Sequence, residues 1–343
     1  MKLRTIIQHL ESIAPLSHQE SYDNAGLIVG DPEMWIKGAV ICLDSTEDVL
    51  KEAIELKANL IIAHHPIVFK GLKKFNGRNY VERVVIQAIK HDIAIYAIHT
   101  NLDNALHRGV NAKIAEKLEL TNLRALAPAA NMNKVQFFLN EAQAKRLSRY
   151  NFAKNRSFFK SLTVNNNESA IEEPKLKFET VLSKEEIDPF FDQVNHALEN
   201  TAYDYEVINI QNKNSKVGAG IVGDLRSSIL ETTFLQRLKK NMQVNTIKHT
   251  PLLSQRVQKI AICGGAGGFL LPMAIRSGAQ FFVSSDYKYH EFFDADGKIV
   301  IADIGHYESE QFTIELIEQL IREKFSNFAA HCTKINTNPV NYY

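Results

Sequence analysis

"TEDVLKEAIELKANLIIAHHPIVF" occupies residues 46–69. Its first part, 46–58, carries apolar side chains at helical spacing, and the next, "NLIIAHH" (59–65), is an apolar run of strand length. A helix that gives way at once to a short buried strand is half of a βαβ unit. The neighbouring segments extend the pattern. "GAVICLD" (38–44) reads as a strand before that helix, "YVERVVIQAIKHD" (80–92) as a helix, "IAIYAIHTNLD" (93–103) as a strand running into a polar stop, and "GVNAKIAEKLEL" (109–120) as a helix. Strands alternating with helices imply right-handed crossovers and a parallel sheet covered on both faces.

The last third repeats this plan. "RVQKIAICGGAGG" (256–268) is a strand ending in glycines, and "FLLPMAIRSGA" (269–279) is mostly helical, with Pro272 acceptable only near its start. "QFFVSSD" (280–286) is a strand, and "KIVIADIGHYESEQFTIELIEQLIREKF" (298–325) is a strand, a polar turn and one long amphipathic helix. The middle differs. "VQFFLN" (135–140), "KLKFETVLS" (175–183) and "YDYEVINIQ" (203–211) alternate as strands, 140–150 and 185–200 look helical, and "NNNES" (165–169) is a loop. The order β-α-(β)-β-α-β suggests a small ferredoxin-like α+β insertion. The expected fold class is therefore α/β, two similar βα layers with an inserted domain. The expected divisions are 1–126, 127–215 and 216–343.

The chain has 343 residues, 45% of them hydrophobic and 23% charged, enough to bury a sizeable core. A formal net charge of +1 gives no electrostatic case for a nucleic-acid or membrane-surface binder. Cys42, Cys263 and Cys332 form no CxxC pair, which fits a reducing compartment and argues against a disulfide framework or a cysteine-based zinc site. The N-terminal stretch "MKLRTIIQHLESIAP" is amphipathic and no apolar run reaches the roughly 18 residues of a membrane span. These features predict a soluble cytoplasmic protein.

Histidines mark where the chemistry lies. Of twelve, several fall at strand ends: His64 with His65, His99 with Asp103, His290, and His306 with Glu310. In open α/β sheets the carboxyl edge is where ligands bind. His306 and Glu310 are spaced i, i+4 at the start of a helix, so both reach one side. Adjacent residues of an extended strand point to opposite faces, so His64 and His65 can share a site only if the chain turns, and Pro66 enforces such a turn. Taken singly, each has a plainer reading: a hydrogen-bonded turn histidine, a turn or cap aspartate at 103, a first-turn glutamate at 310 favoured by the helix dipole. Taken together, His64, His65, Asp103, His306 and Glu310 supply three imidazoles and two carboxylates. One catalytic ion uses about three protein ligands. Five suit two divalent ions about 3.5–4 Å apart. With no thiolate in the set, Zn, Fe, Mn or Ni would all fit.

Other features read as structural. "CGGAGG" (263–268) lacks the Walker lysine and the GxGxxG spacing, and suits a tight strand-to-helix turn. "SSD" (284–286) has no GxSxG context. Cys263 is expected buried at its strand's end, Trp35, Tyr22 and the scattered phenylalanines to be core, and "RLKK" (237–240) to be a solvated helix face.

Five segments, "YDNAGLIVGDP" (22–32), "IIAHHPIVF" (61–69), "AIHTNLDNALHRGVN" (97–111), "ICGGAGGFL" (262–270) and "SSDYKYHEFFDADGKIVIADIGHYESE" (284–310), give the chain a resemblance over almost its whole length. It resembles the dinuclear-metal-centre, Nif3-like proteins often labelled GTP cyclohydrolase I type two homologues. The resemblance implies two similar α/β layers with the site between them and a PII-like insertion whose last strand is "AYDYEVINI" (202–210). It also implies toroidal homohexamers, trimers stacked face to face, and metal ligands at His64, His65, Asp103, His306 and Glu310. His290 and His99 would orient ligands or touch substrate. The chain departs from the family pattern at Tyr22, where tryptophan is common, at Ser284-Ser285, where Thr-Gly is common, and at "ENTAYDY" (199–205), which replaces a proline- and glutamate-rich stretch.

Two functions follow as expectations. One is a metal-dependent hydrolase that uses a metal-activated water, with His290 or Glu291 moving protons and a small, nucleotide-like substrate suggested by the family label. The alternative is a non-enzymatic hexamer that holds metal or recruits partners through its insertion. Nucleic-acid binding through the torus is disfavoured by the near-zero charge.

Overall fold

Helical spacing of Leu3, Ile6 and Leu10 makes the opening segment α1 (Leu3–Ile13), which buries those three side chains. The computed structural model describes residues 1–129, 132–149, 159–164, 175–211 and 214–343. The loop expected at 165–169 lies outside them. In chain order follow β1 (Gly26–Val29), β2 (Gly38–Cys42), α2 (Glu47–Glu55), β3 (Leu60–Ala63), α3 (Tyr80–Lys90), β4 (Ala94–Ala97), α4 (Thr100–Asp103), α5 (Val110–Lys117) and β5 (Thr121–Ala129). The middle holds β6 (Met132–Leu139), α6 (Glu141–Arg149), β7 (Phe159–Val164), β8 (Lys175–Ser183), α7 (Ile187–Ala197) and β9 (Asp204–Ile210). The rest holds β10 (Asn214–Leu230), α8 (Glu231–Asn241), β11 (Lys248–His249), β12 (Arg256–Ala266), α9 (Leu271–Arg276), β13 (Phe281–Ser285), β14 (Val300–Asp303), α10 (His306–Glu310), α11 (Thr313–Lys324) and β15 (Ala329–Cys332).

Residues 1–128 with 215–343 form one compact unit, and 129–214 form a second. The first contains two sheets, ordered β1-β4-β3-β2-β15 and β11-β14-β13-β12-β10-β5. In each, a parallel core (β15, β2, β3, β4; β12, β13, β14) is flanked by antiparallel strands (β1; β10 and β11). Of the parallel strands, β2, β3, β4, β13 and β14 are buried on both faces, which is why they read as unbroken apolar runs, whereas β15 at the sheet edge is mostly exposed. Period-two alternation sorts their side chains. Ala39, Ile41, Leu60, Ile62 and Tyr96 of one sheet share a core with Ile260, Ile262, Phe281 and Val283 of the other, filled in by α1, α5, α8 and α11. The opposite faces pack locally, Val40, Ile61 and Ile95 under α2 and α3, Ala261, Phe282 and Ile301 under α9.

The 129–214 unit has sheet order β7-β8-β6-β9 with antiparallel neighbours, the ferredoxin-like βαββαβ topology. Its own core centres on Phe137, stacked on Phe178 across the β6–β8 pair at 5.5 Å.

Two expectations change. Trp35 and Tyr22 are not core, being 70% and 61% exposed, and among the phenylalanines expected there Phe69, Phe75, Phe269 and Phe293 are exposed as well. Trp35 is held by its backbone, in a bridge to Lys2 and by its carbonyl accepting from Asn59 Nδ2 at 2.9 Å, so the indole is free to face outward. The single helix expected over 306–325 is two, α10 and α11. A continuous helix would set Glu310 in register with the buried stripe Ile314, Ile317 and Ile321. The break at Gln311–Phe312 lets α10 turn its carboxylate elsewhere.

Candidate metal centre

Five strands of the two parallel cores deliver something polar from their carboxyl ends. β2 is followed by Asp44, β3 by His64 and His65, β4 by His99 and then Asp103 on α4, β13 by Asp286, and β14 by His306 at the start of α10. The structure brings the five sequence-derived candidates to one place. His65 Nε2 is 3.0 Å and His306 Nε2 3.2 Å from Glu310 Oε2, and His64 Nε2 is 3.7 Å from Glu310 Oε1 and 3.6 Å from Asp103 Oδ1. The chain does turn at His64-His65: β3 ends at Ala63, and the two rings sit 4.9 Å apart on the same side.

The other nitrogen of each ring is already used. His64 Nδ1 donates to the Ile98 carbonyl (2.8 Å), His65 Nδ1 to Asp44 Oδ1 (2.8 Å) and His306 Nδ1 to Asp286 Oδ2 (2.6 Å). These bonds fix the tautomer, so all three Nε2 lone pairs can face Glu310. His99 follows the same rule with Asp23 (2.7 Å) and packs edge-on against His64 and His65. Asp23, Asp44 and Asp286 escaped the sequence reading. For Asp44 and Asp286 the signal was a carboxylate just past a strand end beside a histidine-bearing strand end; Asp23, in the loop ahead of β1, carried no such signal.

Electrostatically the cluster is tense. His64 Nε2 and Asp103 Oδ1 are buried with no hydrogen-bond partner among the described residues. Such orphaned atoms are costly unless something satisfies them. Burial, with Glu310 close by, pushes the Asp103 carboxyl well above the usual range. Burial works against the Glu310 carboxylate, yet His306, His64 and His65 outweigh it and hold it well below. Burial also depresses the His64 imidazole. For His65 burial is overcome by Asp44 and Glu310, which raise it to about 10; for His306 by Asp286 and Glu310, which raise it to about 11. His64, His65 and Glu310 offer ligand atoms within 4.8 Å of one another and could hold a metal ion.

Two cavities flank the cluster. One, of about 580 Å³, is lined by His65, Pro66, Phe69, His99, Tyr307 and Lys248 among others. The other, of about 200 Å³, is lined by Tyr22, His99, Asp103, Phe269 and Glu310 among others. His290 and Glu291 line neither. His290 is exposed and packs on Tyr289 and Phe293, while Glu291 accepts from the Lys288 backbone N–H at 2.9 Å. The glycine loop also has its amides occupied: Gly264 N donates to Asn111 Oδ1, Gly265 N to Ser309 Oγ and Gly267 N to Ser284 Oγ, at 2.9, 2.9 and 3.0 Å. Those three N–H groups hold the site's walls together and are not free to receive a phosphate.

Two α/β sheets with a carboxyl-edge cluster of imidazoles and carboxylates able to take a metal ion define the class of protein. The chain belongs to the Duf34/NIF3 (NGG1p interacting factor 3) family, whose model matches residues 1–339. It is 30% identical over 370 aligned positions, spanning 100% of both chains, to a Staphylococcus epidermidis protein named GTP cyclohydrolase 1 type 2 homolog. It is 31% identical to a Halalkalibacterium halodurans protein of the same name, over 99% of this chain and 98% of that one. Among solved structures, a Bacillus cereus protein related to NIF3 superposes with a TM-score of 0.81 at 29% identity, covering 100% and 99% of the two chains. A Staphylococcus aureus protein does so at 0.83 and 26%, again over 100% and 99%. Among the described residues no helix is long and apolar enough to cross a membrane.

Proposed function

We propose that the protein is a metal-dependent hydrolase with a dinuclear centre held by His64, His65, Asp103, His306 and Glu310. The observation that carries the reading is the three-fold anchoring: three imidazoles, each tied at Nδ1, present Nε2 to one buried carboxylate. Hydrogen-bonded core histidines have no need of a shared focus. The donor set of neutral nitrogen and carboxylate oxygen suits Zn, Fe, Mn or Ni. Glu310 faces His64 with Oε1 and both other imidazoles with Oε2, so both of its carboxylate oxygens would be available to hold metal. Asp103 completes the His64 side.

Two ions bound there would supply a water of near-neutral pKa and a Lewis acid for the bond under attack. The chain's own residues do the rest. Asp44, Asp286 and the Ile98 carbonyl hold the ligands in aim. His99, braced by Asp23, faces both cavities and is placed to touch substrate or carry a proton, the role expected of His290 and Glu291. Pro66, Phe69 and Tyr307 give the larger cavity apolar walls suited to a planar ring, which is the part of a nucleotide-like substrate this lining supports; its Lys248 ammonium is paired with Asp303 at 2.6 Å. Exposed Trp35, Phe269, Tyr289 and Phe293 are apolar side chains that an interface between copies would cover; for the homohexamer that the resemblance implies, the mass in light scattering would be six times the 38.8 kDa chain.

Elemental analysis of protein purified without added metal, beside His65→Ala, is the decisive experiment. About two ions per chain, falling in the variant, is the expected result. Unchanged metal content in His65→Ala would remove the assignment. Metal without turnover on a panel of nucleotides, phosphoesters and amides would leave a metal-holding scaffold in place of a hydrolase.

A further inference from the structure

The segment after β15 crosses from one half of the site to the other. Thr333 Oγ1 and Lys334 N donate to the Glu52 carboxylate, the latter at 2.9 Å, which moors its start to α2. Farther on, Thr337 Oγ1 donates to Asp44 Oδ2 at 2.8 Å and Asn338 Nδ2 to Glu308 Oε1 at 3.0 Å. Asp44 is the carboxylate whose other oxygen holds His65 Nδ1. Glu308 sits on α10 midway between His306 and Glu310. Two local turns shape the segment: Asn338 N donates to Asn336 Oδ1 at 2.9 Å and Val340 N to Asn338 Oδ1 at 3.0 Å. Pro339, Val340 and Tyr342 then line the larger cavity.

We propose that residues 333–342 form a positioning strap for the metal centre, and that Thr337 acts through Asp44 to set the aim of His65. The inference rests on the metal reading of the cluster. A carboxylate held at one oxygen can swing about its Cβ–Cγ bond; held at both, it cannot. The Asp44 side chain is 38% exposed, so without Thr337 its second oxygen would trade among mobile waters. The hydroxyl substitutes one fixed donor, and the Thr337–Asp44–His65 chain then transmits a set orientation to a ligand nitrogen. On the opposite side Asn338 ties the strap to α10 through Glu308. Removing such an outer partner commonly weakens metal binding about 10- to 100-fold.

Cobalt(II) alone, titrated into the metal-stripped full-length chain, tests this through its visible absorption and by competition with a chelator. The parent should take up two ions. Thr337→Val, which keeps the shape and removes the hydroxyl, should weaken one ion about tenfold or more, change its absorption band and leave the other ion alone. Thr337→Ser should restore parent behaviour, and Asp44→Asn should weaken the same ion as Thr337→Val. Parent-like affinity and spectrum in Thr337→Val would overturn the proposal. So would equal weakening of both ions without rescue by serine, the mark of a merely structural role, or an effect of Asp44→Asn on the other ion. A parent that takes up no cobalt overturns the metal reading as well, whereas an indifferent Thr337→Val in a two-ion parent removes the strap alone.

Discussion

At the scale of residues, Glu310 governs the site. It is 3% exposed and faces three imidazoles, two of which it helps to keep protonated near neutral pH. Metal ligation needs those imidazoles neutral. Metal uptake at pH 7 should therefore release protons, and affinity should rise as pH climbs toward about 10 and 11, the values at His65 and His306. Calorimetry in buffers of differing ionisation heat measures the release; uptake without it would mean the imidazoles are not ligands. The metal-free chain should behave oppositely. A histidine raised on folding stabilises most below its unfolded value near 6.5, and that stability is lost as pH rises through the folded value. Melting of stripped protein should fall from pH 7 toward 10, with the His306 share smaller because its side chain is 39% exposed and screened by water. The five candidate ligands were legible because they ended strands in a readable alternation. Asp23, Asp44 and Asp286 were not, since they meet their histidines across 76, 21 and 20 residues of chain, a tertiary pairing no local period encodes.

At the scale of elements, the glycine loop at the end of β12 shows how backbone shape fixes side-chain position. Gly265 has φ +66, and a Cβ there would lie 2.4 Å from Glu310 Oε1. Gly265→Ala combines a left-handed residue, costing roughly 1–2 kcal/mol, with displacement of the central carboxylate. Urea unfolding should show a loss of at least that size and metal content should fall with it; full metal content would mean that Glu310 can move without consequence. The tight turn was legible in "CGGAGG", but its contact with Glu310 was not. The α10–α11 break was equally hidden, because an i, i+4 spacing at 306–310 and the apolar stripe from 314 fit one helix or two. What separates them is the need to aim a carboxylate away from that stripe, which is a property of the assembled site. At 284–286, Asp286 adopts φ +60, a conformation aspartate tolerates, and so turns its carboxylate to His306.

At the scale of the whole molecule, the insertion interrupts a strand pair. β5 and β10 are neighbours in the six-stranded sheet; Thr121 Oγ1 donates to the Asp224 carbonyl, and the Gly218 Cα lies against Ala127, so the two run antiparallel. Residues 129–214 have a core of their own between these strands. Insertions of this kind leave the host's contacts intact. Replacing 130–213 by a short glycine-rich turn should therefore preserve folding and metal stoichiometry, checked by circular dichroism and elemental analysis; loss of metal would give the insertion a part in the site. The α/β alternation and the changed middle were legible from periodicity. The short edge strands were not, because β1, β11 and β15 are too short to show a pattern.

The separation of His65 from Glu310 by 245 residues also has a consequence for biosynthesis. At roughly 5–20 residues per second, a ribosome emits the His64-His65 pair about ten to fifty seconds before the carboxylate that unites it with His306. During that interval the nascent chain carries two imidazoles and Asp103 with no Glu310 to gather them. The strand that closes the first sheet's edge beside β2 also follows Glu310 in the chain, so the cluster can assemble only after both of its widely separated halves have been made.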